Sequence, residues 1–275
     1  MSPHPPSPHT PERWDAASRA YAEKIASITG DFARDIIDRL ALSEESDVLE
    51  VAAGSGALTE MLSPRVRSVL ATDFSPSMIE ILGERLRAAG ATNVRTAVMD
   101  GQSLDVEDSS FDAAACNFAL MLFPDRACGF RELARAVRPG GRAAVTGWTG
   151  PDRFEAFGLF MASVAKGLPD LPSPPSPPPI FSLADPARFK QEMESAGFRD
   201  VTIDFVTREQ EVEGIDDLWD GLSAGAPPVQ ALFDRVGAEG QNRIRKALEH
   251  IVLERYGDGS FTLTNVATLG SGVVA

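Results

Sequence analysis

A glycine turn between an apolar strand and a helix is the part of this sequence with the clearest chemical use. It lies in the stretch 47–59, DVLEVAAGSGALT, where the apolar run ends at Gly54 and Gly56. Glycine permits a tight turn and leaves no Cβ between the backbone and a ligand. The helix that follows presents free N–H groups and the positive end of its dipole. The turn is therefore predicted to hold a small anion, either a phosphate or the carboxylate of an amino acid.

Acidic residues at the ends of three successive predicted strands help to choose between these ligands. Glu50, four residues before the turn, suits an amine and a sulfonium better than a pyrophosphate. Asp73 ends the second strand and can accept hydrogen bonds from both hydroxyls of a ribose, while Phe74 offers a flat surface for adenine. Asp100, after the third strand, can accept from an exocyclic adenine amine. Thr59 stands where a dinucleotide fingerprint has its third glycine, which counts against a dinucleotide.

Together these motifs resemble those of class I S-adenosylmethionine (SAM)-dependent methyltransferases, most closely the small-molecule enzymes of the ubiquinone/menaquinone methyltransferase-like group. The resemblance covers residues 12–150 by motif and the remainder only by topology. Glu50 replaces the commoner aspartate, and Ala53 replaces a usual glycine or cysteine, which is tolerable if its φ is negative. The segments that carry the resemblance are EVAAGSG (50–56), ATDFSPSM (71–78), DGQSL (100–104) with SFD (110–112), and RELARAVRPGG (131–141).

The resemblance implies SN2 transfer of a methyl group from SAM to an O, N, C or S atom of a small, apolar or aromatic acceptor. The implied cofactor contacts are Tyr21, Glu50, Ala52, Gly54, Gly56, Asp73, Phe74, Met78, Asp100, Gly101, Gln102 and Asn117. The acceptor is expected outside the carboxyl ends of the strands. The residues predicted to contact it are Phe118, Met121, Trp148, Phe157 and Trp219.

No general base is evident, so the catalytic residues stay unassigned. His4 and His9 lie in a proline-rich tail, and His250, beside Leu248 and Ile251 in a predicted helix, is expected at the surface or its boundary. No metal-ligand spacing is present, and no metal is predicted. Transfer from a sulfonium needs no covalent intermediate, because alignment of the reacting atoms with water excluded can suffice. An acceptor that is already deprotonated or intrinsically nucleophilic fits this pattern.

Alternating strands and helices must position the predicted cofactor and acceptor residues. Short apolar runs separated by helical patterns predict a parallel sheet covered by helices on both faces. Two later strand-like runs are expected to complete a Rossmann-like, seven-stranded, mostly parallel sheet as an antiparallel edge pair. The seven runs are Val48–Ala53, Val69–Thr72, Val94–Val98, Phe111–Cys116, Ala143–Gly147, Val201–Thr207 and Thr262–Leu269.

The chain is interpreted as a single domain, 12–275, after a disordered tail, 1–11, that holds five prolines. Within the domain, 12–46 is assigned to two N-terminal helices and 47–149 to the SAM-binding core. The segments 150–182 and 214–255 are predicted to form a helical cap over the acceptor, with a stiff proline-rich stretch at 168–179. The side chains expected to face the acceptor are Phe154, Phe157, Met161, Leu218, Trp219 and Phe233.

Composition narrows the classes of partner. A net charge of −14 over 275 residues disfavours nucleic acid. No apolar run approaches the ~20 residues of a membrane helix, and no secretory signal is evident. Cys116 and Cys128 are the only cysteines, so a reducing cytoplasm is expected, and a homodimer is left open.

Two functions are kept as alternatives to methyl transfer. One is a non-catalytic SAM-binding sensor or partner subunit, and the other, which is less favoured, is a dinucleotide-dependent oxidoreductase.

Overall fold

The computed structural model describes residues 10–172, 178–224 and 227–275. Most of the predicted tail and the centre of the proline-rich stretch therefore lie outside the described residues. The helices are α1 (Pro11–Lys24), α2 (Ala26–Gly30), α3 (Ala33–Leu40), α4 (Ala57–Leu62), α5 (Pro76–Ala89), α6 (Arg126–Ala136), α7 (Glu155–Gly167), α8 (Pro186–Ser195), α9 (Ile215–Ser223) and α10 (Pro227–Tyr256). The strands are β1 (Asp47–Val51), β2 (Ser68–Asp73), β3 (Val94–Val98), β4 (Phe111–Cys116), β5 (Val137–Trp148), β6 (Phe198–Val212) and β7 (Phe261–Val274).

The seven strands form one sheet in the order β3-β2-β1-β4-β5-β7-β6. Strands β1 to β5 are parallel, and β7 runs antiparallel to both of its neighbours, β5 and β6. This confirms the predicted Rossmann-like, mostly parallel sheet. The expected antiparallel edge pair is refined in one respect: β6 runs in the same direction as β1 to β5, and β7 alone is reversed.

Hydrophobic clusters cover both faces of the sheet, as the continuous apolar strands predicted. Successive residues of β1 point to opposite sides, with Val48 in one cluster and Leu49 in the other. Helices α3, α4 and α5 cover the first face, where Ile36 and Leu82 are fully buried. Helices α6 and α8 cover the second face, where Phe130 packs against residues of α8. Packing against these two clusters fixes the positions of the strand ends relative to one another.

Strands β6 and β7 extend well beyond the rest of the sheet. The pairing of β5 with β7 ends at Trp148 and Ala267, whereas that of β6 with β7 continues to Val212 and Phe261. About six residues of each strand therefore project past β5, roughly 20 Å at 3.3–3.4 Å per residue. The runs predicted from the sequence were too short here, because the polar residues 207–211 lack the apolar alternation of a half-buried strand.

The projecting strands carry a helical cap made of α7, α9 and α10, which has a hydrophobic cluster of its own. Trp219 of α9 stacks on Phe233 of α10 with 5.5 Å between ring centroids. Both side chains were predicted to face the acceptor, and the structure instead places them in the interior of the cap. Helix α10 is kinked at Gly237, where φ is 64° and ψ is −176°.

Residues 10–40 form three helices, where two had been predicted. Helix α1 packs against α5. The Asp15 carboxylate accepts hydrogen bonds from Ser75 Oγ at 2.5 Å and from the Ser77 backbone N–H at 3.0 Å. Arg85 of α5 donates to the carbonyl of Ala22 at 3.0 Å. These contacts hold α1 beside the carboxyl ends of β1 and β2. Among the helices in the described ranges, none is both long and apolar enough to cross a membrane.

Candidate functional site

The turn after β1 places three residues in the left-handed region of backbone conformation. These are Ala52 (φ 55°), Gly54 (φ 56°) and Gly56 (φ 98°). Ala53 is not among the residues of positive φ, so the condition set for it is met. A Cβ on Gly56 would lie 2.4 Å from Leu82 Cδ1, whereas one on Gly54 would meet nothing within 4 Å. Gly56 is thus required by its conformation and by packing on α5, and its contact with the cofactor stays a prediction.

Asp73 at the end of β2 is buried but has room for a ligand. Its Oδ2 accepts from the Gly54 backbone N–H at 2.9 Å, and its Oδ1 accepts from the Ser75 N–H at 2.9 Å. Burial raises the pKa of Asp73 to about 6, against the effect of these hydrogen bonds. Because each carboxylate oxygen has two lone pairs, both can still accept from a further donor. This arrangement suits a pair of neighbouring hydroxyl groups.

Glu50 is more deeply buried than Asp73, although both acids lie near the ends of their strands. It is 1% exposed, and its Oε2 accepts from Thr59 Oγ1 at 2.6 Å. Burial raises the pKa of Glu50 to about 8, and the nearby Asp73 adds to the increase. Glu50 is not part of the cavity wall at this site, and its interaction with the cofactor stays a prediction. Gly101 is also packed inside, since a Cβ there would lie 2.6 Å from Phe123 and Val51.

A cavity opens where β1 to β4 end, beneath helix α1. Nine of the twelve predicted cofactor residues line it: Tyr21, Ala52, Gly54, Asp73, Phe74, Met78, Asp100, Gln102 and Asn117. We call it the cofactor cavity. The wall also includes Ala119, Leu122, Phe123 and Pro124, which the sequence analysis missed because an apolar run after β4 is also typical of core residues. Trp14 of α1 also lines this wall.

A second, mostly apolar cavity lies between the sheet, α1, α2 and the cap, and we call it the acceptor cavity. Phe118, Met121, Trp148 and Phe157 line it, and Trp219, the fifth residue predicted for this role, does not. Its volume is about 150 Å³. This is well above the roughly 10–15 Å³ that one water needs by the same measure, so the cavity has room for more than a single water. The two cavities share four residues, Trp14, Tyr21, Phe118 and Leu122.

Stacked aromatic rings form one wall of the acceptor cavity. Phe118 lies on Trp148 with centroids 4.1 Å apart, and Trp148 lies on Phe154 at 3.8 Å with only 8° between the ring planes. Phe32 meets Phe118 and Trp148 edge-on, at 5.2 and 5.5 Å. Rings held in this way present flat apolar surface, which favours a planar ligand.

Titratable groups are few in the acceptor cavity. Among the described residues of its wall, they are Tyr21, Lys24 and Asp217, and the last two are exposed. Burial raises the pKa of Tyr21, so its hydroxyl is neutral near pH 7. His250 lies outside both cavities, with 63% of its side chain exposed and Glu254 at 3.7 Å. The described residues contain no group of three or more potential metal ligands.

Comparison with known proteins agrees with this geometry. Residues 48–141 match the family model of a methyltransferase domain, which confirms the resemblance seen in the motifs. A demethylmenaquinone methyltransferase of Corynebacterium kroppenstedtii is 35% identical over 144 residues, which cover 50% of this chain and 59% of that protein. The matched stretch spans 46–59% of the length of four such relatives.

Solved structures show the same fold at low sequence identity. The YcgJ protein of Bacillus subtilis is 19% identical with a TM-score of 0.59, covering 89% of this chain and 99% of that one. The cyclase SpnF is 16% identical with a TM-score of 0.59, covering 98% and 97%. The second likeness shows that the fold by itself does not decide the reaction.

Proposed function

Because residues 48–141 are a methyltransferase domain of the class I SAM-dependent type, we propose that this protein transfers the methyl group of SAM to a small, planar aromatic acceptor. The proposal rests on one observation: the cofactor cavity and the acceptor cavity differ in character and adjoin at four shared wall residues, Trp14, Tyr21, Phe118 and Leu122. One cavity has the glycine turn and carboxylates at its strand ends. The other is walled by stacked aromatic rings.

The residues of the cofactor cavity fit the parts of SAM. Asp73 has free lone pairs for the two ribose hydroxyls, and Phe74 and Met78 offer apolar surface for adenine. Asp100, held by the Gln102 side-chain amide at 3.1 Å, can accept from the adenine amine. The backbone beside Gly54, with no Cβ in the way, suits the methionyl carboxylate. When bound, SAM supplies a methyl group on a positively charged sulfur.

The chain's own contribution to the reaction is alignment and exclusion of water. Holding the acceptor against the methyl group replaces a bimolecular encounter with a positioned one. The apolar walls keep water from the reacting atoms. Among the described residues of the acceptor cavity wall, the neutral Tyr21 hydroxyl is accompanied only by the exposed Lys24 and Asp217, so we expect an acceptor that arrives as a good nucleophile, such as a phenolate or an electron-rich ring carbon.

The walls of the acceptor cavity narrow the choice of acceptor. The stacked aromatic rings favour a flat, hydroxylated bicyclic ring system over an aliphatic acceptor. The names of the relatives, demethylmenaquinone methyltransferases, support an acceptor of this class. The cytoplasmic location stays a prediction from the sequence, and the homodimer stays open.

Two measurements test this proposal. Calorimetry should show binding of SAM and S-adenosylhomocysteine (SAH) and none of NAD. Formation of SAH should then require a hydroxylated aromatic acceptor, with aliphatic amines of equal size as the control panel. Binding of NAD in place of SAM would favour the oxidoreductase. Tight SAM binding with no turnover on any aromatic acceptor would favour the sensor or partner subunit.

A further inference from the structure

A chain of hydrogen bonds passes behind the junction of the two cavities, and Thr146 of β5 is at its centre. The Thr146 hydroxyl accepts from the backbone N–H of Phe118 at 3.0 Å and donates to Asn117 Oδ1 at 2.7 Å. Asn117 Nδ2 in turn donates to the carbonyl of Thr29 at 3.1 Å. The Thr29 side chain donates to the carbonyl of Ala26 at 3.2 Å within α2, and Thr29 lines the acceptor cavity together with Tyr21. One hydroxyl group thus connects the end of β4 with the helices that cover the site.

Thr146 lies behind the cavity walls, whereas its hydrogen-bond partners lie in them. Thr146 is 1% exposed and lines neither cavity. The acceptor cavity is lined by Thr29, the cofactor cavity by Asn117, and both by Tyr21 and Phe118. Thr146 therefore cannot touch a ligand, but the residues that depend on it surround the place where the methyl group must pass.

The backbone of Phe118 gives the Thr146 hydroxyl a specific task. Phe118 has a φ of 54°, which lies in the left-handed region that is strained for a residue with a side chain. This conformation places the Phe118 ring between Phe32 and Trp148. The N–H of Phe118 has its partner in the Thr146 hydroxyl, so this bond helps to hold the strained turn. Without the bond, the backbone is free to relax and to move the ring.

We propose that Thr146 is a positioning residue for methyl transfer: through Phe118 and Asn117 it sets the shape of the junction between cofactor and acceptor. This inference rests on the proposed function. The reaction depends on the junction more than SAM binding does, because Gly54, Asp73 and Asp100 lie at or just after the carboxyl ends of the far strands β1 to β3. Loss of Thr146 should consequently affect turnover and not cofactor affinity.

The experiment compares three variants of the full chain. Thr146→Val keeps the shape of the side chain and removes both hydrogen bonds, whereas Thr146→Ser keeps the hydroxyl. Thr268→Val is the matched control. Thr268 is 0% exposed on the neighbouring strand β7, and its hydroxyl, which lies within 3.1 Å of the carbonyls of Gly147 and Leu183, lines neither cavity. The readouts are kcat and KM for the acceptor, the SAM Kd, the melting temperature and the exchange rate of the Phe118 amide.

We expect kcat of Thr146→Val to fall about tenfold to a hundredfold, the cost of a small misplacement. The SAM Kd should change by less than about threefold. The Phe118 amide should exchange faster in Thr146→Val alone. Thr146→Ser should restore turnover, and Thr268→Val should keep it despite a similar fall in melting temperature.

Full turnover in Thr146→Val, equal losses in Thr146→Val and Thr268→Val, or no rescue by serine would each overturn the inference. If the wild-type protein methylates no acceptor, the proposed function fails. Amide exchange then decides separately whether Thr146 holds Phe118, and an unchanged rate in Thr146→Val would refute that role.

Discussion

The buried carboxyl group of Glu50 should make the ligand-free protein less stable as the pH rises through neutrality. Burial raises the pKa of Glu50 to about 8, from an ordinary value of 4.5. An acid with a higher pKa in the folded state binds its proton more tightly there than in the unfolded chain. Its contribution to stability is therefore present at low pH and is lost as the pH rises from about 4.5 to about 8.

The structure sets the size of this effect. The difference of roughly 3.5 pKa units corresponds to at most about 5 kcal/mol across the whole range. Asp73 acts in the same direction, but its pKa of about 6 ends its effect near that pH. Between pH 6.5 and 8.0 the fall is then due to Glu50. It should reach about 2 kcal/mol, or about 4–8 °C in melting temperature.

Thermal unfolding of Glu50→Gln without ligand tests this reasoning. Glutamine does not ionise in this range, and its amide oxygen can still accept from Thr59, so the variant should show a nearly constant melting temperature from pH 6.5 to 8.0. The matched control is Glu60→Gln, because Glu60 is exposed and should leave the wild-type slope unchanged. The same pH slope in Glu50→Gln as in the wild type would refute the assignment.

Binding of SAM should show the opposite trend. A bound sulfonium favours the ionised form of Glu50, so the affinity of the wild type for SAM should rise between pH 6.5 and 8.0. Glu50→Gln should lose this pH dependence and bind SAM more weakly at pH 8.0. SAH, whose sulfur is uncharged, should respond less than SAM. Calorimetry at the two pH values measures each trend, and equal pH responses for SAM and SAH would contradict the role of the sulfonium charge.

Three further predictions follow from the same geometry. Asp73→Ala removes a charged acceptor and should raise the SAM Kd by tenfold to a hundredfold, about 1.5–3 kcal/mol; unchanged affinity in calorimetry would exclude the ribose assignment. Ala52→Gly relieves a φ of 55° and should stabilise the protein by about 0.5–1 kcal/mol in denaturant titration, and a loss of stability would show that the turn is not strained. Phe157→Ala should raise the acceptor KM and leave the SAM Kd unchanged, because Phe157 lines the acceptor cavity. Trp219→Ala should mainly reduce stability, by about 3–5 kcal/mol, because Trp219 is packed inside the cap. A raised acceptor KM in Trp219→Ala with no such effect in Phe157→Ala would contradict these placements.

The sheet and most of the cofactor cavity could be predicted because their signals are local. Each strand contains a short apolar run, and a residue at the end of a parallel strand lies at the same edge of the sheet as its counterparts. Asp73 and Asp100 are placed correctly for that reason. The packing of Gly56 against Leu82 was not visible, because it joins two elements 26 positions apart that meet only in the folded chain.

Other differences between the predicted and the observed site arise where neighbouring apolar residues of one helix point in different directions. Leu218 lines the acceptor cavity, and Trp219, one position further along the same helix, stacks on Phe233 inside the cap. Neighbours on a helix point about 100° apart, so the result depends on how α9 is rotated against α10. No pattern in the sequence sets that rotation. Glu50 presents the same difficulty, since an acid in a strand shows its burial only when its neighbours are known.

The reversed strand β7 also has a consequence for how the protein is made. On the ribosome, β6 emerges with no strand to pair with, since β7 follows only after α9 and α10. The nascent chain therefore carries the 15 residues of β6 without their sheet partner while the cap helices are being synthesised. Charged side chains along β6, such as Arg199, Asp204 and Glu211, discourage that segment from pairing with other chains. Only when β7 has been synthesised can it insert between β5 and β6 and join the cap strands to the rest of the sheet.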